Sequence, residues 1–250
     1  GGHDMLLTDD GSRSLPSSIS DALVMYQGNP SVNSLLGFER RKDPKTTLYV
    51  AVAIQRDLAV ALNRDIALST RDDEPDYKIR AGVGNSYEVG TDWELGFNVG
   101  GSYETDWRFR STRTATFGLP EEQNGVREES TRGINIAGTL NLGVKYLADH
   151  ELSTTSLFLR NTDDETEVFD FFHENRPLSS GRGFRDYRLQ WEERKMVTNQ
   201  IRGTHYLGSD TRQLLPFLDT LLSRVPEDTS IEWFYSKSTA DTDIPNQVEV

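Results

Sequence analysis

With 250 residues, 35% of them apolar, and a mean hydropathy of −0.59, the chain has no run near the ~20 apolar residues that a spanning helix needs. A net charge of −13 argues against gripping nucleic acid through its phosphates, which takes a clustered cationic surface. The lack of cysteine removes disulfide frameworks, thiolate zinc sites and cysteine nucleophiles together. An acidic soluble protein and a porin-like barrel both remain, because every second residue of a barrel strand can be hydrophilic.

Gly1-Gly2-His3-Asp4 carries neither the basic region nor the apolar run of a signal peptide, so the expectation is a cytosolic chain or an internal piece of a longer one. Over residues 1–63 the pattern is helical. Leu15-Pro16-Ser17-Ser18 reads as a helix start capped by Ser17 or Ser18, and Val50, Ile54, Leu58 and Leu62 recur at steps of four between Thr47 and Asn63. Two short helices are expected here, packed at the periplasmic rim of a strand-rich remainder.

From residue 64 onward the period changes to two. Tyr77 to Val89 alternates Tyr77, Ile79, Ala81, Val83, Tyr87 and Val89 against Lys78, Arg80, Gly82, Gly84, Ser86 and Glu88, with Asn85 breaking the apolar side. Trp93 to Arg110 is the clearest case. Its odd positions run Trp93, Leu95, Phe97, Val99, Gly101, Tyr103, Thr105, Trp107, Phe109, and its even ones are small or charged. A helix would scatter those residues around its circumference, whereas a strand gathers them on one side. Rings near both ends of this strand suit the two interfaces of a membrane.

Ser111 to Arg132 reads as a long polar loop, after which Ile134 to Tyr146 alternates again. Leu152 to Arg160 is a weaker strand, and Asn161 to Phe184 a second long polar loop. Tyr187 to Leu207 begins as a strand that Glu193 and Lys195 interrupt, as if it rises beyond a bilayer there. Gly208 to Thr229 suggests a helical insertion around Arg212 to Leu218, and Ile231, Trp233 and Tyr235 mark a last strand. Gly90-Thr91-Asp92 and Ala148-Asp149-His150 are tight turns. Short turns on one rim and long loops on the other are the pattern of outer-membrane barrels. The fold expected is all-β: a transmembrane antiparallel β-barrel, present as about 7–8 strands of a larger one, with short helices before it.

In such a barrel Lys78, Arg80, Glu94, Glu104, Asp106, Arg108 and Arg110 line the lumen. Gly82, Gly84, Gly96 and Gly100 share their side, leaving room for a plug or relieving crowding in a curved sheet. The cluster Phe169, Phe171, Phe172 with Arg176 lies in an outer loop, where ligand capture and self-packing compete as readings. The acidic run Asp163 to Glu167 lacks the glycine and spacing of a calcium loop and reads as solvated. His3, His150, His173 and His205 fall on separate elements, so no metal site is expected. There is no Gly-x-Ser-x-Gly elbow or phosphate loop, hence no enzyme and no resident cofactor is expected.

Several segments together carry a family likeness. Gly1 to Asp4, Asp9-Asp10-Gly11-Ser12-Arg13-Ser14-Leu15-Pro16, Gly84-Asn85-Ser86 and Trp93 to Phe97 resemble the barrel portion of TonB-dependent receptors of Gram-negative bacteria. Gly181 to Phe184, Tyr187 to Arg194 and Trp233 to Pro245 are similar to later strands and loops of that group. The resemblance implies a barrel of about 22 strands, a plug domain and a TonB-contacting segment outside this chain. It also implies an outer-membrane location and energised uptake of a scarce nutrient such as an iron chelate, cobalamin or a glycan. The expected partners are outer-membrane lipid, the TonB system and a small nutrient, with no nucleic acid. The alternatives are a plug-less porin-like barrel and a soluble β-rich binding or adhesion module.

Overall fold

The structure is a computed structural model that describes residues 5–9, 14–62, 74–115, 124–147, 149–208 and 229–245, with 68, 211–212, 217, 220, 224–226 and 247–249. Three helices come first: α1 (Ser17–Met25), α2 (Val32–Lys42) and α3 (Leu48–Ala61). Sequence reading anticipates α1 and α3 but not α2. Its stretch ends in Arg40, Arg41 and Lys42, which suit the negative end of a helix dipole, and the Ser31 hydroxyl before it accepts from the Ser34 amide at 3.4 Å. The expected cap on α1 is corrected: the residue before the first turn is Pro16, with no side-chain cap. Ala22, Tyr26, Leu35 and Ala51 form a small core, closed by an edge-on Tyr26–Phe38 contact at 5.4 Å. No helix among the described residues is long and apolar enough to cross a membrane.

Among the described residues the strands that follow form one antiparallel sheet: β1 (Tyr77–Val89), β2 (Trp93–Ala115), β3 (Asn124–Tyr146), β4 (His150–Phe172), β5 (Phe184–Tyr206), β6 (Ser230–Asp243) and the short β7 (Gln247–Glu249). The strands follow chain order from β1 to β6, and β7 pairs with β5 beyond the end of β6. The sheet does not close: β1 and β6 are its two outer strands. Four of the strands run 23 residues, far beyond the ~5–6 usual in soluble sheets.

That length corrects the two long loops. Most of Ser111 to Arg132 continues β2 and begins β3, and Asn161 to Phe172 completes β4. The acidic run Asp163 to Glu167 and the rings Phe169, Phe171 and Phe172 are therefore strand residues. The remainder of the connection between β2 and β3 lies outside the described residues. So does nearly all of the expected insertion between Arg212 and Leu218.

Register assigns the two faces. Opposite partners such as Val83–Val99, Val99–Leu140 and Leu140–Ser156 carry the odd positions of β1 and β2 onto the even positions of β3 and β4. Near the short turns this face is apolar and bare: Val83 is 63% exposed, Tyr87 55% and Leu142 44%. A row of rings crosses its edge, with centroids 4.4 Å apart for Trp93–Tyr146, 6.2 Å for Tyr146–His150, 5.3 Å for His150–His205 and 6.4 Å for His205–Trp233. The Trp233 ring fits because it lies over Gly203, where any Cβ would collide with it. Hydrogen bonds reinforce the row: Trp233 Nε1 donates to His205 Nε2 at 3.1 Å, and the two histidine Nδ1 atoms are 3.2 Å apart. His150 Nε2 lies 3.3 Å from the Thr211 hydroxyl, which in turn is 2.9 Å from Asp149 Oδ2.

Farther along, the same face becomes polar and closed. Arg160 and Glu193 form a buried ion pair at 2.5 Å, extended by Lys195, beside buried Thr162 and Ile134. Residues 5–9 lie against this zone. Leu7 is 1% exposed, and its carbonyl accepts from Trp191 Nε1 at 3.2 Å and Arg160 at 3.4 Å. The Tyr103 hydroxyl donates to the Met5 carbonyl. From the Trp93 row to the Tyr103 row the apolar band is about ten residue steps; at ~3.3 Å each and a tilt near 40° that is ~25 Å.

Candidate functional site

The opposite face gathers all seven residues read as lumen-lining, because strict alternation survives the whole of β1 and β2. The structure distributes them into three groups. Lys78 pairs with Glu104, directly across from it, while Arg80 faces Ser102. Glu94 sits near the short turns, 3.8 Å from Lys145. Asp106, Arg108 and Arg110 lie toward the far end, where Asp106 bonds Arg108 at 3.1 Å and its carboxylate covers Gly133.

Beyond the apolar band, this polar face holds a recess of ≈ 230 Å³ spanning four strands. It is lined by Arg108 from β2, Glu129 and Thr131 from β3, Asp163 and Glu165 from β4, and Gln190, Glu192 and Arg194 from β5. Asp163 stands opposite Glu192, a like-charged cross-strand pair. Burial pushes the Asp163 carboxyl above its ordinary range, against the pull of Arg108 and Arg194. Burial, with Glu129 adding repulsion, does the same to Glu165. Asp163 Oδ1 is buried without a hydrogen-bond partner among the described residues.

At the end of the β4–β5 hairpin the polar face carries stacked rings. Phe169 and Phe171 are 4.7 Å apart, Phe171 and Phe184 5.3 Å, and Phe184 and His173 4.6 Å, all near-parallel. Guanidiniums join the stack: Arg127 lies 4.7 Å over Phe169 at one end, and Arg176 4.7 Å over Phe184. Of the four residues expected to meet a ligand, Phe169, Phe171 and Arg176 are brought together. Phe172 is not, because its even position turns it to the other face.

Phe184, His173 and Arg127 were missed by sequence reading, as were the carboxylates of the recess. A signal existed: His150 to Phe172 has neither glycine nor proline, and the turn residues Pro177, Gly181 and Gly183 come only afterward. Among the described residues no three histidine or carboxylate side chains gather as a metal site would require. His150 and His205, expected on separate elements, meet directly across β4 and β5.

No family model matches this sequence, and comparison with curated proteins and with solved structures finds no match.

Proposed function

We propose that this sheet is an arc of an outer-membrane β-barrel, and that the chain is the barrel portion of a transport receptor of the TonB-dependent kind. One observation carries the membrane reading: a bare apolar band of ~25 Å on one face, bordered by rings, backed by a small, hydrophilic face. Burying such a band in water would take a second layer. Lipid tails supply that layer without one, and further strands would pair with β1 and β6 to leave no open edge. The receptor part of the reading draws on the family likeness and on strands of 23 residues, about twice the 9–11 that crossing a bilayer requires. The surplus raises the polar face into a wall outside the membrane, where a solute first arrives. In that orientation the short turns after β1 and β3 face the periplasm.

The test is insertion. Chain unfolded in urea and diluted into phosphatidylcholine vesicles should gain strand signal and protease resistance together, and in plain buffer it should do neither. A monodisperse, folded chain in buffer that ignores vesicles would replace the barrel with the soluble binding module.

A further inference from the structure

We propose that the turn joining β4 to β5 carries an anion-binding site, in which His173 and Arg176 present donors from the Phe184 ring to a solute bearing a carboxylate or phosphate. As a stop on a transport path it rests on the barrel reading above; as a site it stands on its own geometry.

His173 and Arg176 face each other across a two-residue turn and exchange backbone hydrogen bonds at 2.8 and 3.3 Å. The spacing of their side chains is thus set by the main chain. The Asn175 amide donates to His173 Nδ1 at 3.0 Å, so that nitrogen is an acceptor and the ring's proton sits on Nε2, a donor left for another partner. Arg176 sits 4.7 Å over the Phe184 ring, and among the described residues it has no carboxylate partner. Its neighbour Arg185 shows what a structural guanidinium looks like at this end: two bonds to Asp170, at 2.5 and 2.7 Å, leave that fork closed. A guanidinium already held on a ring loses little freedom when it grips an oxyanion, and its planar fork matches carboxylate and phosphate oxygens. Pairing with a carboxylate of the chain itself would be the structural alternative, and Glu174 in the same turn makes no ion pair with Arg176 among the described residues.

The chain has four histidines, so ring ¹³C–¹H spectra of histidine-labelled chain in zwitterionic micelles are readable, and His173→Gln identifies the signal. Citrate should shift the His173 resonance saturably, and inorganic phosphate should compete. Arg176→Gln should weaken citrate binding about tenfold, with Arg176→Lys between, while Arg185→Gln stays within about twofold of the parent. An unmoved His173 signal, or equal binding by Arg176→Gln, overturns the site. Response to anionic lipid but not to free citrate or phosphate overturns the solute and assigns a headgroup instead. Vesicle insertion with no citrate response removes this inference alone; citrate binding by a chain that never inserts removes the barrel alone.

Discussion

The two halves of the same sheet face demand different surroundings. Next to the short turns, Val83, Val99, Leu140 and Leu142 point outward with nothing over them. Six to ten residues farther along, the same face buries Ile134, Thr162 and Trp191, holds Arg160 and Glu193 in a closed pair, and bonds the Leu7 carbonyl through Trp191 and Arg160. Backbone pairing is continuous through both, so the strands themselves do not distinguish the zones; side chains do. On the barrel reading proposed above lipid finishes the first half, whereas the chain itself finishes the second.

The largest break in that contrast should come from the closed half. Glu193→Ala leaves the buried Arg160 guanidinium without its carboxylate and should cost ~3–5 kcal/mol in denaturant midpoint experiments. Adding Arg160→Leu should return much of that loss. In the bare half, Leu140→Arg should cost ~2–4 kcal/mol of folding into vesicles, because it puts a charge near mid-bilayer. Phe109→Arg, on the same face but beyond the band, should cost under ~1 kcal/mol in the same assay, and equal costs would erase the proposed boundary.

Smaller effects concern two carboxylates of β4 that respond to acid in opposite senses. Asp163, raised by burial, takes up a proton more readily folded than unfolded. Its ionisation therefore weakens the fold at neutral pH, and Asp163→Asn should add at most ~1 kcal/mol there, a gain that shrinks as pH falls through the raised value and is gone below the ordinary 3.8. Asp170 is held low by the Arg185 hydrogen bonds, so its contribution is present above 3.8 and lost as pH falls through its depressed value. With both partners about half exposed, that contribution is at most ~1 kcal/mol. Urea titrations of Asp163→Asn and Asp170→Asn from pH 3 to 7 should diverge accordingly.

Legibility followed chemistry rather than position. β1 was readable to the residue, since apolar and hydrophilic positions alternate from Tyr77 to Val89. The last five residues of β2, the first nine of β3 and the second half of β4 read as loops in the sequence, because there both faces are polar: Asp163, Glu165 and Glu167 on one side, Asp164 and Thr166 on the other. Period two leaves no trace when both faces are hydrophilic. The same blindness hides the recess, whose carboxylates Glu129, Asp163 and Glu165 come from stretches that read as loop. Phe169 and Phe171 draw attention as aromatic residues, but Phe184 lies across the turn, and only pairing registers such a neighbour; His173 stands two residues beyond Phe171 on the same side. The helix α2 escapes because its apolar residues Val32, Leu35, Leu36 and Phe38 are matched by an unbroken run of charges, Glu39 to Lys42, that ends its pattern.

The ring row near the short turns also fixes where protons sit. An indole nitrogen can only give, so His205 must receive at Nε2 and hold its hydrogen at Nδ1. That hydrogen points at His150 Nδ1, whose own hydrogen is thereby sent to Nε2 and on toward Thr211. One edge-strand tryptophan thus sets the tautomer of two imidazoles and gives the chain of donors a single direction, from β6 to the segment after β5.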